Sequence, residues 1–179
     1  MSTDLGWLEL AGPPVDRETQ FEVEQFLYWE AELNDDKQYD RWLELFDDDL
    51  EYRAPVRIWR ADSRLQVDPI ACLWNDTKRT LSIRLERINS GFAWAEQPPS
   101  VTRHFVSNVR VSPGPTDGEL IVRSNVLVTR SRGPATPQEL IPADRFDILR
   151  RAESTFRISR RTVIIDSTNP DVQNLAIFI

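Results

Sequence analysis

One histidine, one cysteine and one methionine in 179 residues exclude more than the abundant residues propose. Cys72 alone cannot close an internal disulfide, which fits a reducing compartment and makes the cytoplasm the expected location. An iron–sulfur cluster of the two-Cys, two-His kind, or a mononuclear iron held by two histidines and a carboxylate, needs more ligands than His104 and Cys72 supply. Neither centre can be built from this chain alone. No run approaches the ~20 apolar residues of a membrane span, and the first residues lack the apolar stretch of a secretory leader. Basic residues number 22 against 29 acidic, a net charge of −7, so nucleic acid, which wants a basic face, is not an expected partner. Calcium takes roughly six to eight oxygens from an arranged loop; Asn34-Asp35-Asp36 and Asp47-Asp48-Asp49 lack that spacing and read as solvated turns beside helices.

The length suits one domain with a real core. Residues 1–18 form an arm interrupted by Gly12-Pro13-Pro14. Its Trp7, Leu8 and Leu10 would be odd in a free tail and place it against a surface or a neighbouring subunit. From 19 to 179 the chain reads as a single domain. Val23, Phe26, Leu27 and Leu33 make one apolar stripe, predicting a helix over 19–33 with Asp16 or Thr19 as N-cap. Tyr39, Trp42, Leu43 and Phe46 fall at i, i+3, i+4 and i+7, a second helix that Asp47-Asp48-Asp49 ends, with a strand over 50–60. Residues 60–76 are polar and broken at Pro69, which predicts a long loop with short extended pieces. Residues 77–89 fit either period; Asp76 or Thr77 as N-cap and Gly91 beyond favour helix. Extended segments follow over 101–111, 120–130, 140–151 and 155–166, the last two as a hairpin over Ala152-Glu153-Ser154. Arg150, Arg151, Arg160 and Arg161 alternate with Asp144, Asp147 and Glu153 there, as paired, solvated strand faces would. The apolar tail Leu175–Ile179 belongs in a core or an interface. Helices first and strands after predict an α+β domain, its N-terminal helices packed on a curved, largely antiparallel mixed sheet.

Phe92 to Val111 is the stretch around which the chain is organised. The Pro98-Pro99 pair fixes two backbone angles and stiffens a corner. Val101, Phe105, Val109 and Val111 beyond it share one parity, as in a central strand with one buried face. Ala93-Trp94-Ala95-Glu96, Pro98-Pro99-Ser100, Thr102-Arg103-His104 and Val106-Ser107-Asn108-Val109-Arg110-Val111 together resemble the signature of the small (beta) subunit of aromatic-ring-hydroxylating dioxygenases. The resemblance extends to Val23-Glu24-Gln25-Phe26-Leu27-Tyr28, Val122-Arg123-Ser124-Asn125 and Arg160-Arg161-Thr162. Gln97 stands where the family pattern has an aspartate and Val101 where it usually has an arginine.

That resemblance implies a cone-like fold shared with nuclear transport factor 2, scytalone dehydratase and ketosteroid isomerase. It also implies an α3β3 assembly in which a large (alpha) subunit carries the Rieske [2Fe-2S] cluster and mononuclear Fe(II), fed by a reductase and often a ferredoxin. The small subunits would hold the trimer together and contain no cofactor. Candidate interface residues are Trp94, Glu96, Pro98, Pro99, Arg103, His104 and Phe178. The six tryptophans suit large contact surfaces, with a ligand pocket as the competing use. The alternative is a stand-alone dehydratase, isomerase or cyclase working from a cone pocket around His104, with Tyr52, Tyr39, Tyr28 and Asp40 as further acid–base candidates. A homo-oligomeric scaffold is the third reading. Elemental analysis of the purified chain is expected to find no stoichiometric iron; iron held by its side chains would overturn the non-catalytic reading.

Overall fold

Asp16 starts the first helix: its carboxylate accepts from the Thr19 N–H at 2.9 Å and the Thr19 hydroxyl at 2.7 Å, satisfying donors that the helix itself leaves free. A computed structural model describes residues 6–9, 12–58, 66–89, 100–132, 138–153, 155–167 and 178–179. Helix α1 (Arg17–Asp35) buries Val23, Phe26, Leu27, Ala31 and Leu33 along the expected stripe, and with them Glu30 and Asn34. Helix α2 stops early, at Tyr39–Leu43. Phe46, expected to close it, instead opens strand β1 (Phe46–Arg57), where it pairs with Ile158. Asp47-Asp48-Asp49 therefore lies in a strand and not a turn. Arg150 meets Asp47 at 3.3 Å and Asp49 at 2.8 Å, and Lys78 meets Asp48 at 2.8 Å.

The predicted long loop is overturned over half its length by strand β2 (Val67–Asp76), antiparallel to β1. Its Pro69 is tolerated because β2 lies at an edge, where a missing N–H breaks no ladder. Helix α3 (Lys78–Asn89) follows as expected. Thr77 and Thr80 cap it reciprocally, each hydroxyl accepting the other's N–H at 3.3 and 2.9 Å, while Leu81 and Leu85 turn inward.

Strands β3 (Val101–Pro113), β4 (Glu119–Ser131), β5 (Glu139–Ala152) and β6 (Thr155–Ile165) complete a sheet of order β2-β1-β6-β5-β4-β3, in which β1 and β6 run parallel and the other pairs antiparallel. β3 is thus an edge strand, not a central one. Its expected face is also wrong, because Asn108 sits at φ 54° in a bulge between Ser107 and Arg110. The extra residue flips the parity: Val101 and Phe105 point outward at 67% and 54% exposure, whereas Val111 is buried. Helix α1 and the segment before it close the open edge. Asp35 accepts the His104 backbone N–H at 3.0 Å, Gln20 donates to the Val109 carbonyl at 3.1 Å, and the Val15 N–H donates to Val111 at 3.3 Å.

The sheet is apolar on both sides. On the helix side Trp42, Phe46, Leu50, Tyr52 and their neighbours form the main core. On the other side Trp7 and Leu8, in a 3-10 turn over Gly6–Glu9, cover Val67, Phe146, Ile148 and Ile164. The arm's aromatic anchor therefore packs on its own sheet, edge-on to Phe146 at 6.4 Å.

Left-handed backbone at Asn108 is compatible with glycine and hostile to β-branched residues. Both Asn108→Gly and Asn108→Val lose the side-chain hydrogen bond to Asn125. The valine variant is expected to be about 1–2 kcal/mol less stable than the glycine variant in urea unfolding; equal stabilities would show that the bulge carries no strain.

Candidate functional site

Four charged side chains lie inside the core. Glu30 on α1, Arg145 and Asp147 on β5 and Arg161 on β6 are each about 1% exposed or less. Arg161 Nε donates to Asp147 Oδ1 at 2.7 Å and its Nη1 to Glu30 Oε1 at 2.8 Å. Arg145 Nη1 donates to Glu30 Oε2 at 3.0 Å, and Trp42 Nε1 donates to Glu30 Oε1 at 2.7 Å. Two cations and two anions cancel, so the quartet carries no net charge. Burial alone would push the Glu30 carboxyl up, but Arg161 and Arg145 outweigh it and hold the group far below the ordinary carboxylate range. Burial likewise opposes the charge on Arg161, and Asp147 and Glu30 overcome it to hold the guanidinium firmly protonated.

Beside this quartet the interior is filled by Phe178 and Ile179. The Phe178 ring lies 5.0 Å from Trp42 and 5.9 Å from Tyr39, with the Arg84 guanidinium 5.0 Å above it. Its carbonyl accepts from Asn34 Nδ2 at 3.1 Å and from His104 Nε2 at 2.7 Å. The Tyr52 hydroxyl accepts the Ile179 N–H and donates to the Ile179 main-chain oxygen, both at 3.0 Å, and burial pushes that phenol up. Arg161 reaches the same oxygen at 3.5 Å.

His104 is consumed by this arrangement. Its side chain is 3% exposed, and Nδ1 lies 2.6 Å from Asp35 Oδ1. A carbonyl only accepts, so Nε2 carries a hydrogen, and the short Nδ1–carboxylate contact holds a second proton between ring and Asp35. Neither nitrogen offers a lone pair to a substrate, which a general base requires. The other acid–base candidates do not converge on it as a site: Tyr52 is spent on Ile179, Tyr39 leans on Phe178, and Tyr28 and Asp40 are exposed. Arg103 stands outside, 61% exposed and 3.6 Å from Asp35. Trp94, Glu96, Pro98 and Pro99 lie outside the described residues, as do Gln97 and Leu175 to Ile177.

The quartet corrects one expectation. Asp147 and Arg161, read as solvated strand residues, are wholly buried, while Arg150, Arg151 and Arg160 do pair at the surface with Asp49, Glu22 and Glu51. Glu30 and Arg145 were not singled out at all. A signal existed: Glu30 falls seven residues after Val23 and four after Phe26, on the apolar stripe of α1, where an unpaired charge would be prohibitive.

A histidine with both nitrogens engaged and a single cysteine do not fit a Rieske cluster or a two-His iron site. Among the described residues no group of three or more His, Cys, Asp or Glu could hold a metal, and no helix is long and apolar enough to cross a membrane. What remains is an α+β fold whose described core holds Phe178, Ile179 and the ion quartet. A chain from Novosphingobium aromaticivorans designated a scytalone dehydratase shares that fold, with a TM-score of 0.60 at 17% identity over 86% of this chain and 87% of that one. The family described as ring hydroxylating beta subunit matches residues 29–169, and the chain belongs to it. Chlorobenzene dioxygenase subunit beta of Cupriavidus sp. (strain PS12) is 36% identical over 171 residues, 92% of this chain and 91% of that protein. A chain of naphthalene 1,2-dioxygenase, solved with indole in its active site, superposes with a TM-score of 0.82 at 25% identity, covering 92% of this chain and 88% of its own.

Removing one member of a buried ion network strands its partners in a medium that solvates them poorly. Arg161→Met is therefore expected to cost about 3–5 kcal/mol in urea unfolding at neutral pH. Because folding depresses the Glu30 pKa, the stability it adds is present above the unfolded-state value of 4.5 and fades as pH falls below it. The cost of the substitution should shrink on acidification; a cost that is small at pH 7 or unchanged in acid would show that the quartet is not a charged network.

Proposed function

We propose that this chain is the small, non-catalytic subunit of a multicomponent aromatic-ring-hydroxylating dioxygenase, assembled with large subunits as an α3β3 hexamer. The observation that carries this reading is the engagement of the candidate acid–base groups among the described residues: His104 has both ring nitrogens committed to Asp35 and Phe178, and the Tyr52 hydroxyl is bonded to Ile179. The family relation supplies the rest: the relatives include the beta subunits of chlorobenzene dioxygenase and benzene 1,2-dioxygenase, and a beta subunit implies a larger partner. The iron centres, and the addition of dioxygen to an arene as a cis-dihydrodiol, fall to that partner, with ferredoxin and reductase acting on it and not on this chain.

In this reading Arg103, with Trp94, Glu96, Pro98 and Pro99, serves contacts between subunits, while His104 and Phe178 hold the supporting strand in place from within. The test is reconstitution with the large subunit, followed by native mass measurement and arene-dependent oxygen uptake. His104→Ala loses hydrogen bonds to a buried carboxylate and carbonyl, about 1–3 kcal/mol of stability. It should lower the yield of complex and leave turnover per iron near normal. An intact hexamer with turnover cut ~10²–10⁴-fold would instead make His104 a general acid or base.

A further inference from the structure

The side of the sheet facing away from the helices is covered unevenly. Over β5 and β6, Trp7 and Leu8 shield it. Over β3, β4 and the start of β5 no described residue does. There Phe105 pairs with Leu127, and Thr129 with Leu140, across the strands, leaving Val101, Phe105, Leu127 and Leu140 at 67%, 54%, 36% and 61% exposure. Next to this strip, at the Asn108 bulge, opens a recess of about 510 Å³ lined by Asn108, Val109, Arg110, Arg123 and Asn125. Asn125 is two residues along β4 from Leu127, on the same face.

The walls of the recess are fixed. Asn108 Nδ2 donates to Asn125 Oδ1 at 2.8 Å, and Asn125 Nδ2 donates to Asp144 Oδ1 at 2.5 Å. Arg123 donates to Asp144 Oδ2 at 3.3 Å and stacks 5.0 Å over Phe146. Asp144 thus already serves Asn125 and Arg123. The Arg110 side chain makes no hydrogen bond or ion pair with any described residue. Two guanidiniums against one engaged carboxylate make this a cationic notch on a chain of net charge −7.

We infer that this bare half of the sheet is where the large subunit docks, with an aspartate or glutamate side chain of that subunit seated between Arg110 and Arg123 and its apolar neighbours covering the Val101–Phe105–Leu127–Leu140 strip. The inference rests on the subunit reading above and adds the face and its chemistry. A carboxylate is the complement of an unpaired arginine beside a pre-positioned one, since guanidinium presents paired donors to two oxygens. An apolar strip next to a charged anchor is the anatomy of a specific interface, with aromatic and arginine anchors supplying most of its energy. Arginine in the recess then selects an acidic partner surface, which the chain's own acidity would otherwise repel.

The experiment uses Arg110→Glu and the pair Phe105→Glu with Leu140→Glu, each co-expressed with a tagged large subunit and titrated against it. All three positions are exposed, so both variants should melt as the parent does; if Arg110→Glu does not fold, Arg110→Gln replaces it. Each variant is expected to bind the large subunit at least ~10-fold more weakly than the parent, and charge reversal should flatten the dependence of binding on salt. Binding equal to the parent's overturns the inference. So does weakened association of the chain with itself alone, which would make a second copy the occupant, or acetate binding in the recess with no effect on assembly. A parent chain that binds no large subunit would refute the subunit reading itself, an outcome distinct from variants that bind as the parent does.

Discussion

The quartet of Glu30, Arg145, Asp147 and Arg161 is the constraint to which the other packing answers. An isolated ion of that size costs on the order of 20 kcal/mol to bring into a low-dielectric interior by ideal solvation arithmetic, and still several after relaxation. Burying an aromatic side chain such as Trp42 returns, at most, roughly 4–6 kcal/mol. The core can hold these charges only if every one finds its partner. Glu30 comes from α1, Arg145 and Asp147 from β5 and Arg161 from β6, with Trp42 of α2 and the Ile179 main chain as further contacts. One arrangement of five elements gives each of these charges an opposite charge within reach, although Nε and Nη2 of Arg145 make no hydrogen bond. A slip of one residue in β5 or β6 would turn Asp147 or Arg161 to the opposite face and leave its partners unpaired. Such a network adds little net stability over well-packed hydrocarbon, but it penalises nearly every wrong register.

The two faces of the sheet divide the work. The helix side is covered by the chain's own helices, with Phe178 and Ile179 in its core. The opposite side is half closed by Trp7 and Leu8 and half left to others. Acidic side chains crowd α1 and the start of β1, whereas the uncovered half presents Arg103, Arg110 and Arg123 among apolar residues. A uniformly acidic protein would stay dispersed in solution. One with a localised cationic and apolar area has a direction in which it associates.

Much of this was legible in the residue pattern, and the exceptions share a cause. The stripe of α1, the cap of α3 at Thr77 and the β5–β6 hairpin are local features that the residue pattern reports faithfully. Phe46 was misread because its spacing from Tyr39 and Trp42 suits a helix, while the bonds that hold it run to β6 far along the chain. Pro69 disguised β2, since proline excludes a central strand and not an edge one. A single inserted residue at Asn108 inverted the faces of β3, and a period-two reading has no means of registering one bulge. The quartet was missed because a charged residue in a sequence carries no sign of how far away its partner lies. Glu30 alone, set among Val23, Phe26 and Leu27, marked the place. The corner from Trp94 to Pro99 carried the family likeness and lies beyond the described residues, so the recess between β3 and β4 is the part that structure, not pattern, brought to view.

The parallel pairing of β1 with β6 sets the order in which the molecule can be made. Glu51 and Arg160 are partners, and closing a loop of roughly a hundred residues costs about 4 kcal/mol of chain entropy before any contact rewards it. The β3–β4 and β5–β6 hairpins need no such closure. They can form while β1 still waits with Phe46, Leu50 and Tyr52 uncovered, and β6 waits with an unpaired edge. Folding of this topology is therefore slow relative to a helical bundle of the same size, and its intermediates expose the same strand edges through which chains aggregate. The joining of first strand to last is the step at which Phe46, Leu50 and Tyr52 are covered, so assembly with other subunits has a defined starting point in time as well as in space.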